Sequence, residues 1–234
     1  MYHHQQSFGR FNNRPSRNNF TRKSNGFRSK INPSLYIRKA QELVKIEDEI
    51  TTNTFNDFGF HADLLINIKN KGYLKPTQIQ DQAIPQILKG SDVLGIANTG
   101  TGKTAAYVLP IINQILNNPD QRAIILAPTR ELALQIKEEI RSFTWGLKIY
   151  LTLAIGGAYI RQQIINIKRD PHIIIGTPGR IMDLGKRRVL NFSKMNVVVL
   201  DEVDRMLDMG FIGDIKTIVN QIPDSRQTLF FSAT

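Results

Sequence analysis

Val93-Leu94-Gly95-Ile96-Ala97-Asn98-Thr99-Gly100-Thr101-Gly102-Lys103-Thr104 decides the fold of this chain. The stretch opens on an apolar, strand-like run and closes on a turn with two glycines, and a helix-like run over 105–116 follows it. A buried strand turning tightly into a helix leaves the first N–H groups of that helix unpaired. It also aims the positive end of the helix dipole into the turn. The result is a cradle for phosphate. Gly100 and Gly102 let the backbone approach where a Cβ would stand in the way. Lys103 can reach the β- and γ-phosphates of a nucleotide, and the Thr104 hydroxyl can ligate Mg²⁺.

The letters fit G-x-x-x-x-G-K-[ST] with Ala97 in the first glycine position. They also contain a rival, because Gly100-x-Gly102-x-x-Ala105 fits a dinucleotide fingerprint with Asp120 as its ribose-binding acid. That acid should end the second strand. Asp120 instead lies in the polar loop Asn117-Asn118-Pro119-Asp120, ahead of the next strand-like run. A nucleoside triphosphate is therefore preferred to NAD.

Working outward, helices are predicted over 61–71, 77–88, 105–116, 131–143, 159–168, 179–186 and 211–221. Strands are predicted over 93–97, 123–127, 149–154, 172–176, 197–200 and 228–231. The strands are short, continuous and β-branched, as expected of parallel strands covered on both faces. Alternation of this kind predicts a doubly wound α/β sheet, whose ligands bind beyond the carboxyl ends of its strands.

The chain has 234 residues and a formal net charge of +11. Residues 1–39 hold nine of the 31 basic side chains and none of the 20 acidic ones, so the charge sits in the tail and the body is nearly balanced. Residues 1–38 mix Arg, Asn, Ser and Gly with single aromatics and show no period, which reads as a disordered basic tail. Cations beside aromatics suit single-stranded nucleic acid, so the tail is expected to bind RNA. A linker with a short helix is expected over 39–53. Without cysteine, the sequence excludes disulfides, cysteine-ligated zinc and thiol catalysis. No apolar run approaches a membrane span and the N-terminus lacks a signal-peptide core, so a cytoplasmic protein with no membrane contact is expected.

The second half of the nucleotide site follows another apolar run. Val197-Val198-Val199-Leu200 leads into Asp201-Glu202-Val203-Asp204. Asp201 can hold Mg²⁺ opposite Thr104, and Glu202 is placed to orient and deprotonate an attacking water. Asp204, before Arg205-Met206-Leu207, also suits the start of a helix.

With these residues in place, the chain resembles the first RecA-like lobe of a DEAD-box RNA helicase over residues 54–234. The Q motif (54–82) appears as Gly72-Tyr73-Leu74-Lys75-Pro76-Thr77-Gln78-Ile79-Gln80, preceded by Phe55. Motif I is the loop from Ala97 to Thr104. Motif Ia is Pro128-Thr129-Arg130-Glu131-Leu132-Ala133, and Gly156-Gly157 follows it. Motif Ib is Thr177-Pro178-Gly179-Arg180, motif II is Asp201-Glu202-Val203-Asp204, and motif III is Ser232-Ala233-Thr234.

The resemblance implies a RecA-like P-loop domain with ATP and Mg²⁺ as cofactors and RNA as partner. It implies that Gln80 reads the adenine edge, helped by Lys75 and Thr77, while Phe55 either stacks on the base or packs as core. Asn98, Thr99 and Thr101 belong to the ATP cradle. Pro128, Thr129, Arg130, Glu131, Gly156, Gly157, Thr177, Pro178, Gly179 and Arg180 would grip an RNA backbone without reading its bases. Asp204, Ser232 and Thr234 would couple hydrolysis to the RNA site. Two departures stand out. Val203 replaces the family's alanine, and no second RecA-like lobe with its arginine finger is visible in these residues. That lobe is expected in cis in the native protein, so this chain alone should hydrolyse ATP weakly or not at all. A noncatalytic RNA-binding scaffold with a vestigial ATP site, and a DNA translocase, are the competing readings.

Overall fold

A computed structural model describes Thr51 and residues 53–233. The predicted tail, most of the 39–53 linker and Thr234 lie outside the described residues. A 3-10 turn at Phe55–Phe58 leads into α1 (Ala62–Asn70) and α2 (Gln78–Leu88). Strands and helices then alternate as β1 (Val93–Ile96), α3 (Lys103–Asn117), β2 (Ala123–Leu126), α4 (Arg130–Phe143), β3 (Leu151–Ala154) and α5 (Ile160–Lys168). The rest is β4 (Ile173–Gly176), α6 (Pro178–Lys186), β5 (Val197–Asp201), α7 (Val203–Asp208), α8 (Ile212–Val219) and β6 (Gln227–Ser232).

The six strands form one sheet in the order β1-β6-β5-β2-β4-β3, and every neighbouring pair is parallel. The period-2 alternation of side chains sorts the strand residues into two cores. Ala123, Ile125, Ile173, Ile175, Val197 and Val199 face one side, with buried residues of α1, α2, α3 and α4. Ile124, Leu126, Ile174, Val198 and Leu200 face the other, with residues of α5, α6, α7 and α8. That division is why β2, β4 and β5 read as unbroken apolar runs. Ile125 is fully buried on β2 in the middle of the sheet. Ile125→Ala leaves a cavity there and is expected to cost about 2–5 kcal/mol, read as a lowered urea midpoint at unchanged slope.

The strand order has a consequence for the site. Counting across the sheet, β1, β6 and β5 end on motifs I, III and II, whereas β2, β4 and β3 end on motifs Ia and Ib and the Gly156-Gly157 turn. Parallel strands place all six ends on one edge of the sheet. One half of that edge carries motifs I, II and III, and the other carries motifs Ia and Ib and the Gly156-Gly157 turn.

Candidate functional site

The loop after β1 is shaped by its glycines. Gly100 and Gly102 have φ of +85° and +88°, in the left-handed region that L side chains rarely adopt. Gly102 is the residue before α3, and a Cβ there would collide with the Gln80 side chain. Gly102→Ala should therefore strain the loop and push Gln80 away. We expect ATP affinity to fall at least about tenfold, measured by equilibrium titration, since a strained φ alone is worth about 1–3 kcal/mol.

Lys103 opens α3 and is buried, its ammonium donating to the carbonyls of Ala97 and of Asn98, the latter at 3.1 Å. Thr101 donates its hydroxyl to the same Asn98 carbonyl at 2.7 Å. Gln80 is 1% exposed and locks the Q motif to this loop. Its Nε2 donates to the Gly102 carbonyl at 3.0 Å, and its Oε1 accepts from Thr77 N–H at 3.0 Å. Each half of the amide keeps one further hydrogen-bonding position. Phe55 is buried edge-on against Phe58 and Tyr73. Lys75 is exposed.

Asp201 ends β5 and is 3% exposed. Its Oδ2 accepts from the Tyr107 hydroxyl at 2.8 Å and its Oδ1 from Glu202 N–H at 3.0 Å. Burial pushes this carboxyl above its usual range, and the bond from Tyr107 works against that push. Burial, then the charge of Asp201, drives the Tyr107 phenol well above its ordinary value, so it remains a donor. Glu202 sits in the left-handed region at φ +53°, a strained position for a non-glycine residue. Its carboxylate accepts from Arg205 at 3.0 Å. Asp204 accepts from Ala233 N–H at 3.3 Å, which joins motif II to motif III, and Ala97 N–H donates to the Ser232 carbonyl at 3.1 Å, which joins motif III to motif I.

These pieces wall a cleft of about 330 Å³. Thr99, Gly100, Gly102, Lys103, Thr104, Asp201 and Glu202 line it, together with Tyr73, Gln135, Glu139 and the apolar Ala105, Leu132 and Ile136. Tyr73 donates to Glu139 at 3.0 Å, and burial with that neighbour raises its phenol to about 12. Of the residues expected to hold the nucleotide, Phe55, Lys75, Thr77, Gln80, Ala97, Asn98 and Thr101 stand outside the walls. Thr104 and Asp201 offer the cleft only oxygens, which would suit a hard cation. Among the described residues no cluster of three or more His, Cys, Asp or Glu could cage a metal by itself. A cation held by Thr104 and Asp201 would need phosphate oxygens to complete its shell, the usual arrangement for Mg²⁺ with a nucleotide.

A second cleft of about 630 Å³ lies on the other half of the edge. It gathers Pro128, Thr129, Arg130, Glu131, Gly156, Thr177, Gly179 and Arg180 from three separate loops. Arg130, at the start of α4, packs across Gly156 and Gly157, where any Cβ on Gly157 would overlap its guanidinium. Gly157 is also at φ +74°, in the left-handed region that favours glycine. Arg180 donates to the Ala158 carbonyl at 3.4 Å and ties motif Ib to the same turn. Thr129 uses its oxygen to cap α4, accepting from Leu132 N–H at 3.2 Å. Pro178 is buried at the start of α6, where its fixed φ suits a helix, and does not reach the cleft. A larger hollow of about 670 Å³ around Trp145 and Tyr150 is lined by none of the motif residues.

Comparison with known proteins agrees with this geometry. The profile of the DEAD/DEAH box helicases matches residues 77–234. The chain is 48% identical over 181 residues to the ATP-dependent RNA helicase CshA of Limosilactobacillus reuteri, covering 77% of this chain and 36% of that protein. It is 45% identical over 183 residues to the RNA helicase CrhR of Synechocystis, covering 78% and 37%. Among solved structures it resembles a DEAD box protein of the hyperthermophile Methanococcus jannaschii, with a TM-score of 0.74 and 41% identity over 77% of this chain and 50% of that one. The chain thus spans little more than a third of the length of these curated relatives. By its profile, its relatives and the order of its motifs along one sheet edge, the chain belongs to the DEAD/DEAH box helicase family.

Proposed function

We propose that this chain is the ATP-binding lobe of a cytoplasmic, ATP-dependent RNA helicase, with Mg·ATP in the smaller cleft and an RNA backbone in the larger. One observation carries the reading: the sheet order sets two clefts of different chemistry side by side on one edge, the first at the ends of β1, β6 and β5 and the second at the ends of β2, β4 and β3. Lys103 and the loop N–H groups bind the phosphates, Thr104 and Asp201 hold Mg²⁺, and Glu202 takes a proton from the attacking water. Mg²⁺, when bound, offsets the charge of the phosphates. Arg130, Arg180 and the Gly156-Gly157 turn grip sugar and phosphate, so binding is independent of base sequence. Among the described residues no helix is long and apolar enough to cross a membrane.

The test is ATP turnover by this chain with the second RecA-like lobe of a CshA relative supplied in trans. RNA-stimulated phosphate release is expected, because an arginine finger is worth roughly 10³–10⁵ in rate. ATP binding without turnover, with or without RNA, would favour a noncatalytic scaffold. In the same assay Val203→Ala should change turnover by less than about tenfold. Val203 only packs, half-buried, against the second core, and its change removes no ligand or base.

A further inference from the structure

We propose that the Tyr107 hydroxyl sets the Mg²⁺ affinity of the nucleotide cleft by holding Asp201 in its ligating orientation; this rests on the Mg·ATP reading of that cleft. Tyr107 lies one turn beyond Lys103 on α3 and is 0% exposed. Its α3 neighbours Ala105, Ala106, Val108 and Leu109 are apolar and buried, so a phenylalanine would serve packing equally well. A phenol is carried into such a core only where its hydroxyl has partners.

It has one: its proton goes to Asp201 Oδ2 at 2.8 Å. The bond ties α3, which follows the turn after β1, to the end of β5, from which Asp201 would hold Mg²⁺.

Asp201 accepts from Tyr107 on one oxygen and from Glu202 N–H on the other, so its carboxylate cannot rotate, and each oxygen keeps a free lone pair. The phenol ring is fixed in turn against Phe231, with centroids 5.1 Å apart and planes tilted by 50°. Phe231 directly precedes Ser232 of motif III, so Tyr107 connects the helix after motif I with motif II and with the strand that leads into motif III. Tyr107 does not line the cleft and acts through its neighbours. It is a positioning residue.

The experiment measures binding of N-methylanthraniloyl-ATP to the chain, in EDTA and across a Mg²⁺ titration, for the wild type and for Tyr107→Phe. Tyr107→Phe is expected to bind the metal-free nucleotide within about twofold of the wild type. It should need at least about tenfold more Mg²⁺ for half-maximal tightening, as loss of a hydrogen bond to a charged group predicts. Tyr107→Met, a second side chain without a hydroxyl, should shift the midpoint in the same direction. On an Asp201→Asn background the Tyr107→Phe change should add no further shift. An unchanged midpoint in Tyr107→Phe overturns the proposal. So does an equal loss of affinity with and without Mg²⁺, which a purely structural role would give. A wild-type chain that binds no nucleotide in either condition refutes the Mg·ATP reading itself.

Discussion

Lys103→Ala is expected to weaken Mg·ATP binding at least about a hundredfold, with little effect on the fold. Lys103 is buried at the first position of α3, where its ammonium answers two loop carbonyls, Ala97 and Asn98. Those bonds hold a cation at the mouth of a helix whose N–H groups already favour anions. Charge-assisted bonds to phosphate contribute about 1.5–3 kcal/mol each, and one such bond plus the Coulomb attraction exceeds the ~2.7 kcal/mol of a hundredfold change. The fold should survive because the freed carbonyl of Asn98 lies on an exposed residue that water can reach. The check is a nucleotide titration beside a thermal melt. Affinity within about threefold of the wild type would remove Lys103 from the phosphate site.

The second large effect separates binding from chemistry. Glu202→Gln should cut ATP turnover by about 10²–10⁴ while nucleotide affinity stays within about threefold, because a general base acts in the transition state and adds little to ground-state binding. The substitution is close to isosteric. Glutamine can still accept from Arg205, the partner of Glu202 at 3.0 Å, and bears the same cost as Glu202 at φ +53°. What it lacks is a carboxylate able to take a proton. Measurement needs the second lobe in trans and saturating RNA, so that the wild-type rate is high enough to lose. Equal losses in affinity and turnover would make Glu202 a binding group.

How much of this was legible in the sequence depended on whether the signal was local. All six strands lie where the apolar runs place them, displaced by two residues or fewer at any end. Burial on both faces holds for β2, β4 and β5, whereas β1, at the edge of the sheet, exposes Leu94 and Ile96. The helix of the nucleotide loop begins at Lys103, two residues earlier than periodicity suggested, since its first turn is bonded to phosphate-loop atoms and not patterned by the core. The short helix α7 escaped as an element, since it spans six residues and buries only Met206. Strand order was not legible at all. Crossover connections carry no sequence mark of which strands pair, so the sorting of motifs into two halves of one edge emerged only from the sheet.

The same distinction holds within the site. Motif residues were found because they cluster in the chain. Tyr107 read as one more core position of a helical run, and its partner Asp201 stands 94 residues away. Arg130 was picked as an RNA-gripping residue, but its packing across Gly156 and Gly157 is a contact between distant loops. The link from Ala233 to Asp204 uses a backbone N–H, which no residue type announces. Gln80 was expected to face a base. In the structure its amide bridges Thr77 and Gly102 and so also fixes the loop it serves.

The central claim is that one sheet edge holds Mg·ATP in one half and an RNA backbone in the other. Backbone amide shifts of the labelled chain test it most directly, in separate titrations with Mg·ATP and with a single-stranded oligoribonucleotide. Mg·ATP should move the amides of residues 99–104 and 201–204 and of Ala233, and the RNA those of 129–131, 156–157, Thr177, Gly179 and Arg180. Two ligands that move the same set of amides, or a nucleotide that leaves residues 99–104 unmoved, would contradict the account.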